Sequence, residues 1–148
     1  MLKYKKGCLI KAAQSGEVNV IAHQCNCQNQ MGKGIAPLIK RAFPEAWDVD
    51  ERTIKGDECK LGNLTVAKSG DVTVFNLYGQ YHYGRDKQYT DYNALRSALK
   101  IMATYLIRPY DKVGLPLIGC GLAGGDWNVV SKIIEEELEG FDVTIYEL

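Results

Sequence analysis

His23 ends the apolar run Val18 to Ala22, and Asn26 follows it at the head of a segment that reaches the glycine pair Gly32 and Gly34. A histidine titrates near neutral pH and can give or take a proton. An asparagine beside it can hold a hydroxyl-rich ligand, or simply form a turn. Gln24, Cys25, Met31, Lys33, Ile35 and Ala36 complete the segment. A buried strand that feeds polar side chains and glycines into a helix N-terminus suits an anion. Glycines let backbone N–H groups approach it, and the helix end favours negative charge.

A second segment repeats the pattern. Gly119-Cys120-Gly121-Leu122-Ala123-Gly124-Gly125 follows a strand and precedes a helix. Its glycines leave the backbone bare, so several N–H groups can converge on one anion. In open α/β sheets such loops gather beyond the strand C-termini. Two of them suggest a diphosphate or a nucleotide. Neither is a Walker loop, since no G-K-[ST] follows, and neither fits GxGxxG.

Other chemistry-bearing residues have plainer readings. Asp126 is a natural N-cap, and that alone accounts for it. It also ends the second loop, near where a substrate's reactive end would lie, so it joins His23 and Asn26 in the candidate catalytic set. His23, Cys25 and Cys27 would share one face of a strand, but a fourth metal ligand is missing, and no metal is expected. Cys120 stands near a presumed helix N-terminus, which would lower its pKa, although a small residue fitted between glycines is the favoured reading. The loop Gly79 to Tyr89 is rich in aromatics and is expected to cover the ligand, stack on a base, or serve as plain surface. His82 within it is expected to be exposed and not catalytic.

The elements that must position these residues alternate between strand and helix. Strands are expected at Leu2–Lys6, Val18–His23, Leu61–Ala67, Val72–Leu77, Val113–Ile118 and Val143–Tyr146. Helices are expected at Ile35–Phe43, from Pro44 through Trp47, from Tyr92 to before Pro109, and at Trp127–Leu138. The apolar stripe Tyr92, Leu95, Leu99, Met102, Leu106 supports the third of these. Lys68-Ser69-Gly70-Asp71 reads as a hairpin turn, so the sheet should be mixed. The pattern is a layered α/β/α domain.

The chain has 148 residues, 46% of them hydrophobic, which fits one domain over residues 1–148. Its 18 basic and 18 acidic residues cancel, so the basic face of a duplex-DNA binder is not expected. Nucleic acid is expected only as a modified substrate. The N-terminal stretch has no long apolar run, and no segment approaches the roughly 20 apolar residues of a membrane span. The five cysteines are odd in number and suggest no disulfide framework. A cytoplasmic monomer with reduced thiols is the expectation, with no membrane partner and no cofactor.

The segments HQCNCQNQMGKGIA and IGCGLAGGDW, in this order and context, resemble those of the macro domain, a three-layer α/β/α fold with a mixed central sheet that binds ADP-ribose. The resemblance spans essentially the whole chain. It is strongest to the small branch that includes ADP-ribose-1''-phosphate phosphatases and hydrolases removing ADP-ribose from modified targets. It implies that the two loops hold the diphosphate and distal ribose, that Asn26 contacts the distal ribose, and that His23 takes part in catalysis. Many macro domains place an aspartate on the adenine amino group where this chain has Cys8; the resemblance then implies either weaker adenine recognition at Cys8 or recognition through the backbone at Leu9 and Ile10, and all three join the candidate ligand-binding set. Glycohydrolases of the lysine–aspartate type place those two residues where this chain has Gly79 or Gln80, and Ala123. That departure argues against a lysine-adduct mechanism. The expected activity is hydrolysis of ADP-ribose 1''-phosphate to ADP-ribose and phosphate. The alternatives are an ADP-ribosyl hydrolase acting on a protein, nucleic-acid or O-acetyl derivative, and a non-catalytic ADP-ribose reader.

Overall fold

The structure is a computed structural model and describes residues 2–148. Its chain runs β1 (Lys3–Lys6), α1 (Leu9–Gln14), β2 (Val20–Asn26), α2 (Ala36–Ala42), α3 (Pro44–Glu51), a single 3₁₀ turn (Glu58–Lys60), β3 (Leu64–Ser69), β4 (Val72–Gln80), α4 (Tyr92–Ala103), β5 (Lys112–Leu115), α5 (Trp127–Glu137) and β6 (Asp142–Glu147). The six strands form one sheet in the order β1-β6-β5-β2-β4-β3. All neighbours are parallel except β3 and β4, the hairpin that turns at Gly70. The sheet is mixed, as the turn chemistry requires.

Each face of the sheet is covered, which explains the unbroken apolar run of β2. Val20, Ala22, Phe75, Leu77, Val113 and Ile145 pack with Leu95, Leu99 and Met102 of α4 and with Val130, Ile133 and Ile134 of α5. On the other face Ile21 and Val74 pack with Leu9, Ala12 and Ala13 of α1, Ile39 of α2 and Ala46 of α3. Helices on both faces of a mixed sheet make the three-layer architecture.

Two differences from the sequence pattern matter. The segment after Cys8 is a helix, α1, which the pattern did not reveal. It has six residues and no side-chain cap, so neither length nor capping chemistry announces it. Strand β4 runs on to Gln80, three residues past the expected Leu77. In that extension Gln24 stands opposite Leu77 while Asn26 stands opposite Gln80. β4 therefore carries one more residue than β2 there, a bulge in a parallel pair.

Candidate functional site

The C-terminal ends of β2, β4 and β5 open into a cavity of about 650 Å³. Its walls are the first loop (residues 30–36), the second loop (Pro116–Gly119 and Gly121–Ala123), Tyr83-Gly84-Arg85, and Gln24, Asn26 and Gln80 from the strand ends. The side-chain charges on this wall are those of Lys33 and Arg85; among the described residues, no carboxylate lines it. Backbone amides, side-chain amides and two cations suit a polyanionic ligand.

The second loop is closed by its own backbone. Gly119 has φ +71° and Gly124 has φ +78°, a region costly for a side chain. The Gly125 N–H donates to the Gly119 carbonyl at 2.8 Å. A Cβ on Gly125 would lie 2.5 Å from that carbonyl oxygen. Gly125 is therefore a close-approach glycine behind the loop; neither it nor Gly124 is part of the cavity wall. Cys120 is half-buried against the core below. Burial, followed by the Asp126 carboxylate, pushes its thiol up to about 11. That corrects the lowered pKa expected from a helix terminus: desolvation dominates, and the residue is a neutral packing thiol at neutral pH.

Beneath the second loop a side-chain amide network joins three segments. Gln24 Nε2 donates to Gln80 Oε1 at 2.8 Å and to Thr90 Oγ1 at 3.0 Å. The Thr90 hydroxyl donates to the Gly119 carbonyl at 2.7 Å. Gln80 Nε2 donates to the His82 carbonyl at 2.8 Å. Gly79 is where the Gln24 amide needs room, since a Cβ there would run into it. Gln24 Oε1 is buried without a partner. Thr90 and Gln80 escaped the sequence reading because a lone Thr or Gln carries no motif. The only signal was Gln80's place at the position that lysine–aspartate glycohydrolases fill.

His23 falls on the opposite face of β2 from Gln24, in a setting that supports a packing role over proton transfer. It borders the cavity, yet it is only 1% exposed. Its Nε2 lies 2.7 Å from Asn76 Oδ1. An amide oxygen only accepts, so Nε2 carries the proton. Asn76 Nδ2 in turn donates to the Ala46 carbonyl and to Thr65 Oγ1. Burial lowers the His23 pKa to about 4, against a smaller opposing effect of Asn76. The imidazole is a neutral strut between β2, β4 and α3. Cys25 lies beside it, Sγ 3.4 Å from Nε2, and burial raises its thiol well above the ordinary value. Among the described residues no group of three or more His, Cys, Asp or Glu side chains is gathered to hold a metal ion.

Asn26 does line the cavity, but its side chain is turned to its own loop. Its Oδ1 accepts from the Gln28 N–H at 2.9 Å, and its Nδ2 donates to the Gln30 carbonyl at 2.9 Å. It fixes the first loop as it leaves the strand. Asp126 caps α5: its Oδ1 accepts from the Asn128 N–H at 2.9 Å, and it lies outside the cavity wall. The residues expected at adenine stand apart from this wall. Leu9 and Ile10 open α1 with their side chains buried in the core, Cys8 packs beside them, and none of the three lines the cavity wall. Met31, Gly32, Lys33, Gly34, Ile35 and Ala36 are all brought to the cavity, with Gly119, Gly121, Leu122 and Ala123 facing them.

The comparisons with known proteins agree with this geometry. The family model described as Macro domain matches residues 22–134. A Bos taurus protein named ADP-ribose glycohydrolase OARD1 is 33% identical over 99% of this chain and 91% of its own length. A Debaryomyces hansenii protein named ADP-ribose 1''-phosphate phosphatase is 39% identical, covering 92% of this chain and 93% of its own. A solved Bacteroides thetaiotaomicron structure, described as a protein of unknown function, superposes with a TM-score of 0.87 at 31% identity, over 100% of this chain and 98% of that one.

Proposed function

Given that the chain belongs to the macro domain family, whose members bind and process ADP-ribose, we propose that it hydrolyses ADP-ribose 1''-phosphate to ADP-ribose and phosphate. The observation that carries this reading is the cavity wall: backbone amides, Lys33 and Arg85, with no carboxylate among the described residues. A bond to the anomeric carbon breaks in one of two ways. When the leaving group is an alcohol or an amine, a positioned acid must protonate it. When it is a phosphate, it departs as the anion of an acid and needs cations and N–H donors instead.

On this reading the Gly119–Ala123 loop holds the diphosphate and the Asn26 loop borders the distal ribose. The C1''–O bond breaks and its electron pair goes to the phosphate oxygen. The ribose ring oxygen shares the positive charge left on C1''. Water adds to C1'', and its proton passes to the departing phosphate. The protein supplies position and charge, and His23 takes no part.

A second reading shares the same leaving-group logic. The glycohydrolase name of the bovine relative supports release of ADP-ribose from a modified target, and the target that fits this wall is a carboxylate ester, which also departs as the anion of an acid. Purified protein assayed in ¹⁸O-water against ADP-ribose 1''-phosphate, an ADP-ribosyl carboxylate ester and an ADP-ribosyl serine separates the cases. The expected result is phosphate released free of ¹⁸O and no cleavage of the serine ether. Failure to release phosphate overturns the first reading. Labelled phosphate would move the attack from carbon to phosphorus.

A further inference from the structure

Arg85 reaches the cavity wall from the loop between β4 and α4, and among the described residues it forms no ion pair. The nearest carboxylate in sequence is diverted: Asp86 Oδ1 accepts from the Tyr89 hydroxyl at 2.7 Å. A guanidinium left unpaired at the rim of a carboxylate-free cavity is set for an anion from solution.

The loop that carries it is a built wall. Gln80 Nε2 holds the His82 carbonyl at 2.8 Å. The His82 and Tyr83 rings stack with centroids 5.0 Å apart. At the far end the N–H groups of Tyr89 and Thr90 both donate to the Ala123 carbonyl, at 2.8 and 3.2 Å. The Arg85 loop therefore hangs from the end of the same glycine loop that would hold the diphosphate. It starts from Gln80, which stands opposite Asn26 in the sheet. A ligand whose diphosphate lies on the second loop and whose ribose lies near Asn26 points its 1'' substituent towards this loop.

We infer that Arg85 is the residue that recognises the group carried at C1'', and that the group it selects is a phosphate-type dianion rather than a neutral hydroxyl. The inference rests on the phosphatase reading for the pose of the ligand, but binding tests it without turnover. The probes are ADP-ribose and its C1'' phosphonate, in which carbon replaces the bridging oxygen so that the bond cannot be hydrolysed. Calorimetry on the full chain should show wild type favouring the phosphonate by about tenfold or more, the scale of a charge-assisted hydrogen-bonded pair. Arg85→Ala should abolish that preference while changing ADP-ribose affinity less than about threefold. Arg85→Lys should restore part of it, because a point charge replaces a fork. Arg85 is exposed, so thermal melts should be unchanged.

Equal weakening of both ligands in Arg85→Ala overturns the inference, as does no change in either, or a wild type without preference. Phosphate release from the hydrolysable compound is read separately. Its absence alone would remove the phosphatase reading and leave the binding result standing.

Discussion

Gln24 and Thr90 meet under the second glycine loop, the Gln24 amide donating to the Thr90 hydroxyl at 3.0 Å while that hydroxyl donates to the Gly119 carbonyl at 2.7 Å. One hydroxyl thus links the end of β2 to the loop that faces the ligand. Thr90→Val keeps the shape and removes both bonds. It should lower stability by about 1–3 kcal/mol, because buried polar atoms lose partners. It should also weaken ADP-ribose binding by about tenfold. Thr90→Ser should bind like wild type. Calorimetry checks the binding and denaturant melts the stability; a Val variant that binds normally would show that the loop holds its shape unaided.

Gly125 sets the back of that loop by close approach, not by an unusual φ. A Cβ there would sit 2.5 Å from the Gly119 oxygen, so Gly125→Ala must push the two backbones apart. The expected outcome is at least about a tenfold loss of ADP-ribose affinity, with 1–3 kcal/mol of destabilisation, the usual scale of overpacking. Titration calorimetry alongside a urea melt measures both.

His23 makes stability depend on pH. Its pKa is about 4 in the folded protein and about 6.5 when unfolded. The unfolded chain binds the proton more readily, so this contribution is intact above pH 6.5 and is lost as pH falls towards 4. The full loss is about 3 kcal/mol. Asp50, whose pKa burial raises, acts in the opposite sense at the acid end. The informative quantity is therefore the difference between wild type and His23→Asn in urea melts from pH 7.5 to 4.5. Wild type should lose more stability on acidification than the variant. Parallel curves would contradict the neutral, buried imidazole.

Asp126 belongs to helix capping. Asp126→Ala should cost about 1 kcal/mol, and Asp126→Asn should cost little, because asparagine caps as well. Neither should change kcat. A large fall in turnover for Asp126→Asn, measured by phosphate release, would return the carboxylate to the chemistry.

The fold was largely legible because its signals are local. The stripe from Tyr92 to Met102, the hairpin around Gly70 and the two strand–glycine–helix junctions each need only neighbouring residues. Helix α1 was not legible, since Leu9–Gln14 is short and uncapped. The site was legible as backbone and not as side-chain chemistry. His23 looks like a proton shuttle until Asn76, fifty-three positions later, takes its Nε2. Gln24, Gln80 and Thr90 become a unit only when the sheet is assembled. Arg85 was visible only as part of an aromatic loop. That Asp86 is held by Tyr89, three residues on, is a local contact that no sequence motif announces, and among the described residues it leaves the Arg85 guanidinium without an ion pair.

The additional residue in β4 between the partners of Gln24 and Asn26 has a consequence for how this wall is specified. Side chains alternate strictly along a strand, so one added residue reverses the phase of everything after it. Gly79 can then lie over the Gln24 amide, with Gln80 still turned to bond it. Strict alternation from Leu77 would turn Gln80, three residues on, to the layer of His23 and Asp50; the bulge returns it to the Gln24 face. The identity of the residue facing the cavity at this point is thus set by a local reset of the strand's phase between Leu77 and Gln80. Removing Gly79 would place Gln80 two residues past Leu77, on the Gln24 face by plain alternation, so the wall keeps its amide when the bulge is lost.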